Sequence, residues 1–277
     1  MKVLFINSFG SPDYLNDMIY HGLASLNNIE LHSTVHPWYM FKSALPKKNQ
    51  LYGKGFSIYC KLEDTHIQAD IKMLLEGDYD KVIYGSIWRD KSYLEAVLKR
   101  YPRNKIIILD GEDTQHIGMP ELSNGVRYFK RELAQETENI YPIQFSIPKE
   151  NFINVNPKTK MLGHIIPGNT GTYIFNNEED YYNDYNTSYF GHTQKKAGWD
   201  CLRHYEIIAA RCVPIFRDLD KCPPTTMFKL PKDILLKANE IAAKGDVPDS
   251  YADIELQLND FALKHLTTEK MAEYLIS

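Results

Sequence analysis

The sequence predicts an α/β fold with two domains, each built on a parallel sheet. Short apolar runs typical of strands alternate with segments whose apolar residues recur at helical spacing,. A polar, asparagine-rich stretch at residues 149–160 separates two series of this kind and is the best candidate for a linker,. The 277-residue chain is long enough for two domains of about 140 residues each,. We therefore expect one domain at residues 1–150 and a second at residues 151–277.

Composition and charge narrow the class of protein. The 32 basic and 36 acidic residues give a formal net charge of −4, which argues against a general nucleic-acid binder,. The four cysteines show no CxxC pair and no metal-type spacing, so we expect buried thiols in a reducing compartment,. The apolar run at the start of the chain is too short for a signal peptide or a membrane span,. We predict a cytoplasmic protein.

In the first half, strands and helices are expected to alternate from the start of the chain. The first strand ends in a loop with Gly10, which stands alone and so lacks the glycine pattern of a dinucleotide fingerprint,. Residues 36–59 are irregular and rich in aromatic side chains, and we predict a lid or an acceptor-facing loop there,. The predicted strands lie at 3–6, 29–35, 81–86, 105–110 and 141–148, and the predicted helices follow Asp13 and span 67–75 and 94–101,.

Five side chains of the first half are candidates for the acceptor side of a site. A helix that begins after the first strand has its N-terminus at the carboxyl edge of a parallel sheet, where α/β proteins bind ligands. Asp13 can cap that helix, and Asp17 and His21 share one of its faces four residues apart,. Trp88 and Arg89 follow the strand at 81–86 and so reach the same edge.

The strand at 105–110 ends in the sequence Asp-Gly-Glu-Asp, which brings three carboxylates to this edge. Asp110, Glu112 and Asp113 are well placed for general-base catalysis or for binding a hydroxyl-rich ligand,. The alternative is a turn with capping carboxylates, and a magnesium site is a less favoured third reading. Lys130 and Arg131 either are solvated or neutralise these carboxylates, and the sequence does not decide between the two.

The second half repeats the alternation after the polar stretch. The loop at 168–172 begins with Gly168, a candidate donor-binding residue, because backbone N–H groups of such a loop can approach phosphate oxygens,. An ordinary turn fits the same loop equally well. The predicted strands lie at 161–167, 189–193 and 212–216, and the predicted helices at 178–188, 201–209, 234–242 and 254–265,.

The densest polar cluster lies between the last two predicted strands. Arg203 and Glu206 are three positions apart on one helix face, where a carboxylate suits a ribose diol,. Lys195 and Lys196 precede the helix N-terminus and suit a diphosphate, and His204 lies between the arginine and the glutamate,. A surface ion pair and a solvated turn are the plain alternatives. We favour a donor-binding site made of all five side chains.

Residues 200–216, DCLRHYEIIAARCVPIF, resemble the donor-site helix and strand of glycosyltransferases with the GT-B fold. In that family a glutamate and an alanine are followed by a proline before a strand, here Glu206, Ala209 and Pro214. The likeness is to exostosin-like and related bacterial and viral glycosyltransferases. It departs from them at Arg211, where relatives often have a small residue. The resemblance implies two Rossmann-like domains that face each other across a cleft.

The same resemblance implies transfer of a sugar from a nucleotide diphosphate sugar, with UDP the expected nucleotide, to a hydroxyl acceptor such as a glycan. Glu206 would bind the donor ribose, and Arg203 would face the diphosphate. The charge on a departing nucleoside diphosphate can be stabilised by cations and a helix N-terminus without a metal. An inverting enzyme would take its base from the first domain, and there we favour the carboxylates at 110–113 over Asp17 and His21. A retaining enzyme would need no such base.

Two other functions fit the sequence. The acceptor could be a hydroxylated base in DNA, which the acidic balance disfavours because phosphate contacts need local lysine and arginine,. The chain could also be a non-catalytic nucleotide- or sugar-binding module with the same fold. A glycosidase is disfavoured, because two carboxylates on one loop rarely straddle a glycosidic bond.

Overall fold

The computed structural model describes residues 1–7, 12–64, 70–85, 87–245, 247 and 249–277. Within these residues the chain forms two separate sheets, and the strands of each sheet are parallel. The predicted α/β fold with two parallel sheets is confirmed. Gly10 and parts of the helix predicted at 67–75 and of the strand predicted at 81–86 lie outside the described residues.

The first sheet has six strands and is covered on both faces. In sheet order the strands are β2 (Glu30–Ser33), β1 (Lys2–Ile6), β3 (Lys81–Tyr84), β4 (Ile106–Asp110), β5 (Arg127–Lys130) and β6 (Ile140–Pro142). In β4, Ile107 and Leu109 pack into one hydrophobic cluster, and Ile106 and Ile108 pack into another. This double burial explains the unbroken apolar run in the sequence. The strand order reverses between β1 and β3, which leaves a crevice at the carboxyl ends of these strands,.

The second sheet is smaller and has three strands. In sheet order they are β7 (Lys160–Leu162), β8 (Ser188–Gln194) and β9 (Val213–Arg217). The first of them is shorter than the strand predicted at 161–167. Its pairing stops because the His164 N–H bonds to the Asp184 carboxylate (2.8 Å) instead of to the neighbouring strand.

Eight helices lie among the described residues. They are α1 (Tyr14–Ala24), α2 (Met73–Glu76), α3 (Leu94–Arg100), α4 (Glu178–Asn186), α5 (Leu202–Ala209), α6 (Lys232–Ala243), α7 (Tyr251–His265) and α8 (Thr268–Ile276). Asp13, Asn177 and Thr267 cap α1, α4 and α8 by accepting a hydrogen bond from the first turn,. Cys201, at the start of α5, makes no such bond. No helix in the described part of the chain is long and apolar enough to cross a membrane.

The structure departs from the expected strands around residues 127–148. Residues 127–130, unassigned from the sequence, form β5 beside β4. The strand predicted at 141–148 ends at Pro142, because later backbone groups bond elsewhere. The Phe145 N–H bonds to the Asp200 carboxylate (2.6 Å), and the Ile147 N–H bonds to the Leu266 carbonyl (3.1 Å).

The last helix lies against the first unit, which comprises residues 1–150 with the six-stranded sheet; the second unit comprises residues 151–277 with the three-stranded sheet. Two C-terminal helices were expected, and α8 is a third. The chain division at residue 151 assigns α8 to the second domain, yet it packs against α1. At their crossing, a Cβ on Gly22 would come within 2.1 Å of the Thr268 carbonyl oxygen. The Tyr274 hydroxyl also bonds to the Pro142 carbonyl (3.1 Å).

A second connection between the units runs through residues 48–61. This segment holds short 3₁₀ turns, which cover Lys42–Gln50 and Tyr52–Gly55. The Lys54 ammonium donates to the Phe175 carbonyl (2.6 Å) and to the Asn176 side chain (2.8 Å). The Glu178 carboxylate accepts from the Ser57 backbone N–H (2.9 Å) and pairs with Lys61 (3.2 Å). This segment of the first unit is therefore tied to the start of α4 in the second.

Arg211 occupies the left-handed position that ends α5. Its φ is 60°, and its N–H bonds to the Ile208 carbonyl (2.9 Å). A residue other than glycine costs about 1–2 kcal/mol in this conformation. The guanidinium is held by Glu255 of α7 (2.9 Å). The ion pair offsets part of that cost and explains how a long side chain fits where a small residue was expected.

We predict that Gly22→Ala lowers the free energy of unfolding by about 1–3 kcal/mol, because the new methyl group would overlap a backbone oxygen that cannot rotate away,. Urea unfolding followed by far-UV circular dichroism measures the change. Gly171→Ala is the matched control, since its nearest neighbour is an exposed Asn169 side chain at 3.3 Å. An unfolding free energy equal to that of the wild type would contradict the close approach of α1 and α8.

Candidate functional site

A cavity of about 620 Å³ opens between the two units. Its size is that of a small-molecule site. The first unit lines it with Tyr14, Tyr52, Phe56, Asp113 and Phe145, among others. The second unit contributes α5 and the turn before it, with further aromatic rings at Tyr173, Phe175 and Tyr181.

One end of the cavity is suited to an anion. Lys196, Gly198 and Arg203 line it, together with the first residue of α5. The first N–H groups of a helix lack the usual partner four residues back, and Cys201 supplies no capping side chain to α5,. Among them, the His204 N–H donates to the Cys201 carbonyl (3.1 Å). The Arg203 Nε is buried without a hydrogen-bond partner among the described residues. An uncapped helix N-terminus with its dipole and two cations together favour a negatively charged ligand.

Glu206 also lines the cavity, on the same side of α5 as Arg203. Its carboxylate accepts hydrogen bonds from the Tyr181 hydroxyl (2.6 Å) and from Ser57. Burial raises the pKa of Glu206. An ionised carboxylate has about four acceptor positions, so two remain for hydroxyl groups of a ligand.

His204 lies away from the cavity, although the sequence grouped it with the donor-binding residues. It is completely buried. Its Nε2–H donates to the Trp199 carbonyl (2.8 Å), and its Nδ1 accepts from the Thr193 hydroxyl (2.7 Å). Burial lowers the pKa of His204 to about 3. The imidazole is therefore a neutral part of the interior, and the expectation that it binds a donor is corrected.

Lys195 and Gly168 are also outside the cavity lining. The Lys195 ammonium lies 5.3 Å from the centre of the Trp199 ring. Gly168 has a φ of +87°, and its N–H donates to the Tyr173 hydroxyl (3.1 Å). That N–H is used within its own turn, which fits the ordinary-turn alternative better than a phosphate-binding loop.

Asp110 is completely buried and ion-paired. Its carboxylate accepts from the Lys130 ammonium (2.9 Å) and from the Tyr128 hydroxyl (2.6 Å). Neither atom of the carboxylate is open to solvent. Glu112 contributes its backbone, accepting from Lys130 at its carbonyl (3.1 Å). The prediction that Asp110 acts as a base is corrected on this ground, since no substrate can reach it.

Asp113 has a different environment. Its side chain is 52% exposed and lines the cavity, and it is paired with Arg131. A Cβ on Gly198 would come within 3.1 Å of its carboxylate, so Asp113 lies beside the turn that leads into α5. Of the three carboxylates at 110–113, all of them described, Asp113 is the one that reaches the cavity.

The start of α1 holds Asp13 and Asp17, and Arg89 lies beside it. None of the three lines the cavity. Arg89 pairs with Asp13 (3.3 Å). Asp17 is buried and accepts from the Tyr39 hydroxyl (3.1 Å) and the Tyr59 hydroxyl (3.0 Å). Burial raises the pKa of Asp17, and the nearby Asp13 adds to the effect. These bonds hold the start of the helix, and Tyr14, which the sequence did not single out, is the residue there that lines the cavity.

His21 and Trp88 face other parts of the structure. His21 is buried between α1 and α8, where its ring nitrogens bond to Thr268 (2.9 Å) and Glu150 (3.1 Å). The expectation that it serves the acceptor side is corrected, because its ring points at α8. The Trp88 ring packs on Gly118 so closely that a Cβ there would come within 1.9 Å of it.

The end of β5 holds a group that the sequence left undecided. The buried Arg131 donates from Nε to the Gly111 carbonyl (2.9 Å) and from Nη1 to the Asp200 carbonyl (2.7 Å). It also pairs with Asp113 and with Glu132. Arg131 therefore neutralises the loop at 110–113, as one of the two readings of the sequence proposed, and it also contacts the second unit.

Asp200 completes this group from the second unit. Its carboxylate accepts from the Phe145 N–H (2.6 Å) and the Tyr205 hydroxyl (2.7 Å). Burial raises the pKa of Asp200 to about 7. Its position beside the start of the helix predicted at 201–209 was the one signal available in the sequence, because an aspartate there is a candidate cap. In the structure it bonds to Phe145 and Tyr205 instead.

Comparison with known proteins adds little to this picture. No protein-family model matches the chain, and no curated protein matches it. Among solved structures, the chain is similar to the crystal structure of MurG from Acinetobacter baumannii, with a TM-score of 0.45 and 11% sequence identity over 99% of this chain and 98% of that chain. Similarity at this level carries no argument about function.

The architecture by itself defines the class: an α/β protein with two parallel sheets and a charged, aromatic cavity between them. The resemblance of residues 200–216 to exostosin-like glycosyltransferases stays a prediction.

We predict that His204 makes the protein less stable as the pH falls. The folded imidazole has a pKa of about 3, whereas an unfolded histidine titrates near about 6.5,. Below pH 6.5 the histidine binds a proton in the unfolded state but stays neutral in the folded state. The free energy of unfolding therefore falls between pH 6.5 and pH 3. The loss from pH 6.5 to pH 5 is about 2 kcal/mol.

Urea unfolding at pH 7.5 and pH 5 measures this loss in the wild type and in His204→Gln, whose amide can keep the bond to Trp199. Asp200 acts in the opposite direction, because its raised pKa favours the folded state as the pH falls from 7 towards 4. Since both proteins contain Asp200, their difference isolates His204. Equal pH dependence in the two proteins would show that His204 is not held neutral.

Proposed function

We propose that the protein is a GT-B-type glycosyltransferase that transfers a sugar from a nucleotide diphosphate sugar to a hydroxyl acceptor. The observation that carries this proposal is the composition of one cavity. It combines an uncapped helix N-terminus and two cations with a carboxylate, Asp113, from the other unit. The resemblance of residues 200–216 to donor-site segments of such enzymes points the same way.

The donor would bind mainly to the second unit. Its diphosphate would lie at the start of α5, where Lys196, Arg203 and the backbone N–H groups stabilise negative charge,. Glu206 would accept hydrogen bonds from the ribose hydroxyls at the positions left free by Ser57 and Tyr181. UDP is the nucleotide we expect.

Asp113 would act as the general base. It would take the proton of the acceptor hydroxyl, whose oxygen then forms a bond to the anomeric carbon of the sugar. The bond from that carbon to the diphosphate breaks, and its electron pair leaves with the nucleoside diphosphate. Lys196, Arg203 and the α5 N-terminus would stabilise the leaving group, and we propose that no metal ion is needed. This arrangement corresponds to inversion at the anomeric carbon.

The acceptor side of the cavity favours a glycan. Tyr14, Tyr52 and Phe145 form its wall, with ring centres 5.4 and 6.1 Å from that of Tyr14. Aromatic faces bind the apolar faces of sugar rings. Lys54 is the one cation among the described lining residues of the first unit, and it is bonded to the second unit. That leaves few contacts for the phosphates of DNA, so a DNA acceptor is the less favoured candidate.

We also propose a cytoplasmic location. All four cysteines lie in the described part of the chain, and all four carry free thiols there. Free thiols are typical of proteins from reducing compartments.

We predict that Lys196→Gln and Arg203→Gln each weaken binding of the nucleoside diphosphate by about tenfold or more, because each removes a charge-assisted contact. A thermal-shift screen of UDP, GDP and ADP in EDTA, followed by calorimetric titration, measures the effect. Lys195→Gln is the matched control, since that ammonium lies over Trp199 and not in the cavity. Unchanged affinity in both cavity variants would contradict the donor site.

We predict that Asp113→Asn lowers kcat by about 10²–10⁴-fold while the donor affinity stays near that of the wild type, because the amide cannot accept the proton. Donor hydrolysis and transfer are measured over a panel of glycans and hydroxymethylated DNA. Glu112→Gln, which changes a neighbouring carboxylate outside the cavity lining, should keep full activity. Full activity in Asp113→Asn would exclude it as the base, and donor binding without any turnover in the wild type would favour a non-catalytic binding module.

A further inference from the structure

Two adjacent charged residues at the end of β5 hold parts of the cavity that come from different units. Arg131 and Glu132 are each 1% exposed, so neither can touch a substrate. Their hydrogen bonds reach the loop with Asp113 on one side and the turn before α5 on the other. These two segments carry the proposed base and the proposed diphosphate site.

Arg131 bonds to both segments with a single rigid group. Its Nε donates to the Gly111 carbonyl (2.9 Å), its Nη2 pairs with Asp113, and its Nη1 donates to the Asp200 carbonyl (2.7 Å). The guanidinium is planar, so the directions of its N–H groups are fixed relative to one another. A movement of one segment must then move the other or break a bond.

Glu132 binds the turn before α5 through further hydrogen bonds. Its carboxylate accepts from the backbone N–H groups of Trp199 and Asp200, both at 3.0 Å. A Cβ on Gly198 would come within 2.4 Å of the same carboxylate. Arg131 donates to Glu132 (3.1 Å), so the two side chains act as one bonded unit.

We propose that Arg131 is the positioning residue of this site, holding the loop of Asp113 and the start of α5 at a fixed separation. The inference rests on the proposed function, because the separation matters for a transfer in which base and leaving group belong to different units. A displacement of about 1 Å in such a site can cost about 100-fold in rate. To hold both segments, the side chain needs the several N–H groups of the guanidinium, which point in fixed directions. A positive charge alone is not enough.

The first test is amide hydrogen exchange, followed by mass spectrometry, in the wild type and in Arg131→Lys. The lysine keeps the charge opposite Glu132 but cannot bond to Gly111 and Asp200 at once. We expect faster exchange, by about tenfold, in peptides that cover residues 110–114 and in peptides that cover residues 196–203. Arg127→Gln, which removes a guanidinium from the other end of β5, should leave both regions unchanged. A change in one region only, or in neither, would overturn the proposal.

The second test is kinetic. We expect Arg131→Lys to lower kcat by about 100-fold with a donor KM within about threefold of the wild type. Adding Asp113→Asn to Arg131→Lys should then lower kcat by much less than Asp113→Asn does alone. Wild-type kcat in Arg131→Lys would show that charge suffices, and fully multiplicative losses would show that the two residues act independently. Either result would contradict the proposed positioning role of Arg131.

Glu132→Gln is a second variant in case Arg131→Lys folds poorly, which a thermal melt would show. Its amide oxygen can still accept one of the two backbone N–H groups. Faster exchange at residues 196–203 together with a lower kcat supports the proposal, and wild-type exchange and kcat contradict it.

The wild-type protein separates this inference from the proposed function. No donor hydrolysis or transfer by the wild type would overturn the reaction, whereas exchange that rises in both regions of Arg131→Lys would still support Arg131 as the link. Wild-type turnover with exchange that does not change would overturn the link alone.

Discussion

The structure depends on the hydrogen bonds that Arg131 and Glu132 make at the end of β5. Both side chains are buried, and a buried charge is tolerated only when it is paired and fully hydrogen-bonded,. Arg131 achieves this with one carbonyl oxygen from each unit and with the carboxylates of Asp113 and Glu132. Glu132 achieves it with two backbone N–H groups of the second unit. Removal of one partner of such a pair typically costs about 3–5 kcal/mol. The relation between the two units is therefore set by polar contacts beside the cavity, in addition to the packing of α8 on α1.

The same strand end gives the neighbouring carboxylates opposite roles. Lys130 is the last residue of β5 and Arg131 follows it directly, yet the two side chains bond to different carboxylates of the loop at 110–113. Lys130 enters the interior and neutralises Asp110, which loses all contact with solvent. Arg131, the first residue after β5, pairs with Asp113, which stays half exposed at the cavity. Two aspartates three positions apart thus become part of an internal ion pair and a candidate base, because the first is fully buried against Lys130 and the second stays exposed beside Arg131.

The sequence predicted the parts of this structure that local patterns determine. The apolar run at 105–110 predicted a strand, and the structure has it as β4, buried on both faces. Arg203 and Glu206 were placed together because three helical positions return to nearly the same face. His204 could have been separated from Glu206 on the same grounds, since two positions along a helix turn by about 200°. The sequence left open whether Lys130 neutralises Asp110, because strand pairing and not a local pattern brings the two residues together.

The start of α5 shows why a ligand is the simplest explanation of the cavity. A helix N-terminus normally takes a capping side chain, and an aspartate is available one residue before the cap position. Asp200 instead spends its two oxygens on the Phe145 N–H and the Tyr205 hydroxyl, and Cys201 leaves the first turn uncapped. The Arg203 Nε, in this first turn, is buried without a partner among the described residues. Unsatisfied donors of this kind cost free energy unless another acceptor binds them. Their convergence on one end of the cavity favours an anion as the missing acceptor, which is the physical basis for placing a diphosphate there.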